Sequence, residues 1–119
     1  MAFKRILSEL LERLPDGLGA IIVDWEGEAV DQVGVIDDFE LKLIGAHKGL
    51  ILTNLRQAVA RVEGNDLLEI AITTDRVQTL ILPVDEEYFL VLALKKGEAY
   101  GRALFEARRC LDQLRKEIC

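Results

Sequence analysis

A chain of 119 residues, half of them apolar, suffices for one domain with a substantial core and is short for two. Its formal net charge of −6 excludes broad nucleic-acid binding, because affinity for a phosphate backbone comes from clustered Lys and Arg releasing counterions. The charge is uneven: residues 1–94 carry 8 basic and 17 acidic side chains, whereas 95–119 carry 7 and 4, so basic charge gathers at the C-terminal end.

The amino end MAFKRILSELLERL is charged throughout and lacks the long apolar stretch of a signal peptide. No run reaches the length of a membrane span. Cys110 and Cys119 fall in one predicted helix, separated by about 13 Å of rise, too far for a disulfide. The expectation is a reduced, cytoplasmic protein with no direct membrane insertion.

In chain order, Phe3, Ile6, Leu7, Leu10, Leu11 and Leu14 recur at helical spacing and predict an amphipathic helix over 2–14, stopped by Pro15-Asp16-Gly17. Two strands follow. Residues 18–24 are apolar on both faces and belong at the centre of a sheet; 28–34 mix Glu28, Asp31 and Gln32 with valines and belong nearer an edge. Trp25-Glu26-Gly27 between them fits a three-residue hairpin loop, with glycine in the left-handed position and Trp25 at an exposed tip.

Asp37 and Glu40 have capping-box spacing and open a helix over 37–62. One apolar stripe, Leu41, Ile44, Ile51, Leu52, Leu55, Val59 and Val62, suits a core; a second, Leu43, Ala46 and Leu50, is more than a surface helix needs. Lys48 falls near the first stripe, where its stem has to snorkel. Three strands at 67–74, 77–84 and 87–95, joined by short polar turns, read as an antiparallel meander with the last strand central. A helix over 98–117 closes the chain, with Tyr100, Ala103, Leu104, Ala107, Leu111, Leu114 and Ile118 facing inward. The order α-β-β-α-β-β-β-α predicts a single α+β domain, a three-layer α/β/α sandwich around a five-stranded, mostly antiparallel sheet.

Catalytic constellations lack parts. Gly17 and Gly19 precede the apolar run, whereas a phosphate loop needs its glycines after a strand, at the start of a helix. One His (His47), one Ser (Ser8) and two late cysteines assemble neither a nucleophilic triad nor a zinc set. The acidic runs Asp37-Asp38 and Asp85-Glu86-Glu87 lie at a predicted helix cap and a turn. No metal, cofactor or catalytic residue is therefore assigned.

Exposed apolar surface is what the pattern leaves over. Strand 67–74 ends the meander as a long edge with one charge, Glu69, and presents Leu68, Ile70 and Ile72 on one face. Together with Leu43, Ala46 and Leu50 it forms the predicted surface for joining a second copy about a two-fold axis; Gly45 and Gly49, four apart, permit close helix approach.

Over essentially its whole length the sequence resembles the roadblock/dynein light chain family. The residues that carry the likeness are ILSELLERLPDGLGAIIVDWEGEAV, the helix with Leu43, Ile44, Gly45 and Leu50, LLEIAITTDRVQTLILPVDEEYFLVLAL, and Gly101 and Arg102 early in the last helix. Trp25 departs from the pattern, standing where a polar residue is more usual. The resemblance implies a homodimer, or a heterodimer with a paralogue, whose third strands and second helices pair into one continuous sheet. It implies a noncatalytic regulator, in prokaryotes a partner or activator of Ras-like small GTPases. Lys42, Thr53, Asn54 and Arg56 at the exposed margin of the long helix, with Trp25, are the partner-binding candidates. A scaffold subunit without effect on hydrolysis is the alternative, and a small-molecule sensor the third reading.

Overall fold

A computed structural model describes residues 3–26, 28–34, 54, 56–58, 61, 67–97 and 100–118. Within these, the first helix, α1, spans Phe3–Glu12 and buries Phe3, Ile6, Leu7 and Leu10, the stripe expected from its spacing. It stops one turn before Pro15, because Arg13 and Leu14 donate to the carbonyls three residues back, at 3.2 and 3.1 Å, and tighten the last turn. Gly17 then donates to Leu14 O (3.0 Å) and begins the first strand.

Five strands form one sheet: β1 (Gly17–Asp24), β2 (Ala29–Gly34), β3 (Ile70–Thr73), β4 (Val77–Pro83) and β5 (Tyr88–Lys95). Their spatial order is β2-β1-β5-β4-β3, and every neighbouring pair is antiparallel. The doubly apolar strands β1 and β5 are central, and the mixed strand β2 and the meander's first strand β3 are the edges, as the composition of each predicts. A final helix, α2, spans Tyr100–Ile118.

Alternation along the central strands divides the core into two layers. Ala20, Ile22, Leu80, Leu82, Leu90, Leu92 and Leu94 pack against α1 and against Ala103, Ala107, Cys110, Leu111 and Leu114 of α2. On the opposite face Ile21, Val23, Ile81, Phe89 and Val91 are completely buried, with Trp25, Ala29, Leu67, Ile70 and Ile72 packed around them. Asn54 and residues 56–58 are helical, and Arg56 lies over the Trp25 ring, which places helical structure on this second face. Helices thus flank the five-stranded sheet, the expected α+β architecture.

Several boundaries differ from expectation, β3 the most. Strand β3 begins at Ile70, leaving Leu67, Leu68 and Glu69 outside it. Ile70 pairs with Ile81, so lengthening β3 would bring it to Pro83, which has no N–H to donate and whose carbonyl accepts from Arg115 Nη2 at 3.5 Å. Helix α2 runs to Ile118, one residue past the end that its apolar spacing suggests. It also buries Glu106, which apolar counting passes over; Arg13 at the end of α1 faces that carboxylate at 3.8 Å. The long-helix stripes of residues 37–62 fall largely outside the described residues, as does Gly27.

The β1–β2 pairing leaves no room beside Gly34. A Cβ there would lie 2.7 Å from both Gly19 Cα and Leu18 O, and both obstacles are backbone. Gly34→Val is expected to lower the unfolding free energy by about 2 kcal/mol or more in urea titrations, the cost of a forced backbone shift. Unchanged stability would mean that the edge strand moves freely away from β1.

Candidate functional site

The turns are built by side chains that accept from the backbone. Asp24 Oδ1 accepts from the N–H groups of Glu26 (3.0 Å) and Glu28 (2.9 Å), and Asp85 Oδ1 from those of Glu87 and Tyr88, both at 2.8 Å. Thr74 Oγ1 accepts from Val77 N at 3.0 Å in the β3–β4 turn. Asp85, at the head of the most acidic run, is thereby a turn-forming residue. Among the described residues no three His, Cys, Asp or Glu side chains converge as a metal site, and no helix is long and apolar enough to cross a membrane. A hollow of about 490 Å³ along β2, bordered by Lys4, is open to solvent.

Cys110 is free and buried between α2 and the sheet. Burial pushes its thiol up to about 12, against a smaller opposing effect of the nearby Arg13 charge, so it is a packed thiol and a poor nucleophile at neutral pH. A thiol reagent at pH 8 is expected to leave Cys110 of a Cys119→Ser variant unmodified until denaturant is added. Rapid modification of the native protein would place the thiol in an open pocket.

Surface geometry is more informative than chemistry. Trp25 is a correction to the sequence reading: its ring does not project from an exposed tip. It continues the face of Ile21 and Val23 and packs on Phe89, with ring centroids 5.2 Å apart. The Arg56 guanidinium covers its other side, 4.6 Å from the ring centroid. Two partner-binding candidates distant in sequence are thus in contact; Asn54, two residues before Arg56, is helical and exposed. Lys42 and Thr53 lie outside the described residues, as do Leu43, Ala46 and Leu50 of the predicted two-fold surface.

The other half of that surface is described. Ile70 and Ile72 are half-buried against the second core layer, and among the described residues no strand lies on the outer side of β3. Leu68 is 68% exposed just before the strand begins, so it is an apolar flank of the edge and not part of its ladder. An ion pair absent from the sequence reading, Arg108 Nη2 to Glu69 Oε1 at 2.5 Å, ties α2 to this segment. Its partners are 39 residues apart on unrelated elements, so no local spacing announces it.

The sheet order, with both terminal helices on one face and helical residues on the other, is a fold shared with solved roadblock/LC7 domains. A Roadblock/LC7 domain from Streptomyces avermitilis superposes with a TM-score of 0.87 at 16% identity, covering 96% of this chain and 95% of that one. Similarity extends to MglC from Myxococcus xanthus, 27% identical with a TM-score of 0.71, over 98% of this chain and 99% of that one. An MglB with tetrameric arrangement is 14% identical, TM-score 0.85, over 96% and 85%. No protein-family model and no curated protein sequence matches the chain. The chain has the roadblock/LC7 fold, as the resemblance in its sequence implies.

The Trp25 contact makes a direct prediction. Trp25→Ala is expected to cost about 2 kcal/mol or more, since the ring is packed on Phe89. Arg56→Ala is expected to cost about 0.5–1 kcal/mol and to change the emission of this single tryptophan. A Trp25→Ala variant as stable as the parent would return the ring to solvent.

Proposed function

We propose that this protein is a noncatalytic regulator that works as a two-fold dimer and binds a Ras-like small GTPase, changing its hydrolysis or its location. The observation that carries the dimer is the edge strand β3: it pairs with β4 on one side and with no described strand on the other, bears Ile70 and Ile72 half-covered, and is flanked by exposed Leu68. Natural sheets normally block or pair such an edge. A second copy related by a two-fold axis pairs it with itself, and the sequence pattern assigns Leu43, Ala46 and Leu50 to the same interface. The tetrameric arrangement named for one structurally similar MglB supports self-association of this fold.

The GTPase partner is what the family resemblance implies, and the likeness to MglB and MglC supports a regulatory role. Arg56 and Asn54 on the second face, with Lys42 and Thr53, are the contacts assigned to that partner. Because Arg56 is half-buried over Trp25, it meets a partner in a fixed direction instead of as a free side chain. The protein is placed in the cytoplasm.

Two measurements test the reading. Sedimentation equilibrium at micromolar concentration is expected to give twice the chain mass, and Ile72→Lys is expected to give monomer or aggregate; a parent monomer would refute the β3 dimer. Single-turnover GTP hydrolysis by a co-encoded Ras-like GTPase is expected to change several-fold on adding the protein, and Arg56→Ala is expected to reduce that change. Binding with an unaltered rate would favour a scaffold, and absence of binding would remove the GTPase from the proposal.

A further inference from the structure

Helix α2 presents a second surface, independent of β3. Its buried side is Ala103, Ala107, Cys110, Leu111 and Leu114, so position 105 falls at the opposite pole, where an amphipathic helix carries polar residues. That position is Phe105, 63% exposed. Arg102 precedes it by three residues and Arg109 follows by four, so both flank the ring on the helix surface, and both are exposed. Neither joins an ion pair among the described residues, whereas Arg108 is held by Glu69 and Arg115 by Asp112 and the Val84 carbonyl.

Gly101 adds an independent feature. A Cβ at this position would meet nothing within 4 Å, so packing inside the chain does not require glycine there. A helical side chain leans toward the turn before its own Cα, which for Phe105 is the turn containing Gly101. Glycine leaves the backbone beside the ring bare, and the result is a shallow apolar step bordered by two guanidinium groups without an ion-pair partner among the described residues.

We propose that Gly101, Arg102, Phe105 and Arg109 form a docking surface for a carboxylate-rich amphipathic segment of a partner protein, its apolar side chain seated on Phe105 and Gly101. Charge complementarity selects that occupant. The planar forks of Arg102 and Arg109 match carboxylates in two-bond geometry. An anionic bilayer offers one inserted ring little apolar burial and repels the net −9 of residues 1–94. Nucleic acid meets the same repulsion. The surface is therefore suited to a short acidic helix or strand that approaches α2 alone.

The probe is a fluorescein-labelled helical peptide of about five turns, with Leu at i, i+3, i+4 and i+7 and Glu on both flanks. Fluorescence anisotropy with the full chain is expected to show saturable binding that weakens at least about tenfold between about 50 and 300 mM salt. Phe105→Ala and the double variant Arg102→Glu/Arg109→Glu are each expected to reduce affinity about tenfold or more while leaving sedimentation mass and circular dichroism unchanged. All three residues are exposed, so folding does not depend on them. Absence of saturation, or equal binding by the variants or by a peptide with Lys in place of Glu, would overturn the proposal. So would stronger, Phe105-dependent binding to phosphatidylglycerol vesicles, or assembly of the chain on itself abolished by Phe105→Ala. The dimer and GTPase measurements use β3 and Arg56, so failure of either reading is distinguishable from failure of the other.

Discussion

The pairing of β1 with β5 is the constraint on which the rest of the molecule depends. It joins residues 64 to 77 positions apart in the chain, with partners running from Gly17↔Leu94 to Asp24↔Tyr88, and both strands are buried on both faces. One end of the register brings the exit of α1 beside the entry to α2, where Lys95 N donates to Asp16 O at 2.8 Å. The other end brings Trp25 onto Phe89. A slip of β1 by one residue against β5 would turn Ile21 and Val23 toward the terminal helices and Ala20 and Ile22 away from them. The apolar content of both faces would tolerate burial either way. The turns where Asp24 and Asp85 each hold two backbone N–H groups set the β1–β2 and β4–β5 hairpins, and the contacts of Lys95 N with Asp16 O and of Trp25 with Phe89 hold β1 against β5 at its two ends.

Those turns explain why the fold is so legible in the sequence. Asp24 and Asp85 each stand where an apolar run stops, and the alternation of apolar residues separates central from edge strands without reference to anything distant. The helix stripes are equally local. Trp25 escaped because it was read as part of a loop, although period-two counting from Ile21 through Val23 carries it to the same face as Phe89. The signal was present and lay one residue beyond the strand.

Other features were not available to pattern reading. Glu106 sits among inward-facing residues because Arg13, on another helix, faces it; Arg108 and Glu69 meet across 39 residues; and Arg115 supplies Val84 O with a donor at 2.8 Å. Each is a long-range polar contact whose partners are chosen by packing. Their shared consequence is that α2, the most basic element, is fastened at three points to a largely acidic body. The edge position of β3 is legible in its composition, whereas the junction of Arg56 with Trp25 requires the folded chain.

The two edges of the sheet are unlike. At β2 the ladder slips between Ile22 and Val23, so that Val30 has no partner in β1, and Asp31 Oδ1 takes the Gln32 N–H at 3.0 Å. A strand arriving there meets a bulge and an N–H already engaged. At β3 the ladder is regular to the last residue. Growth of the sheet by added strands is thus directional: open at one border and closed at the other. An arrangement that joined β3 to β3 would use up the one receptive border among the described strands and stop, which separates a finite assembly from a fibre built of the same strands.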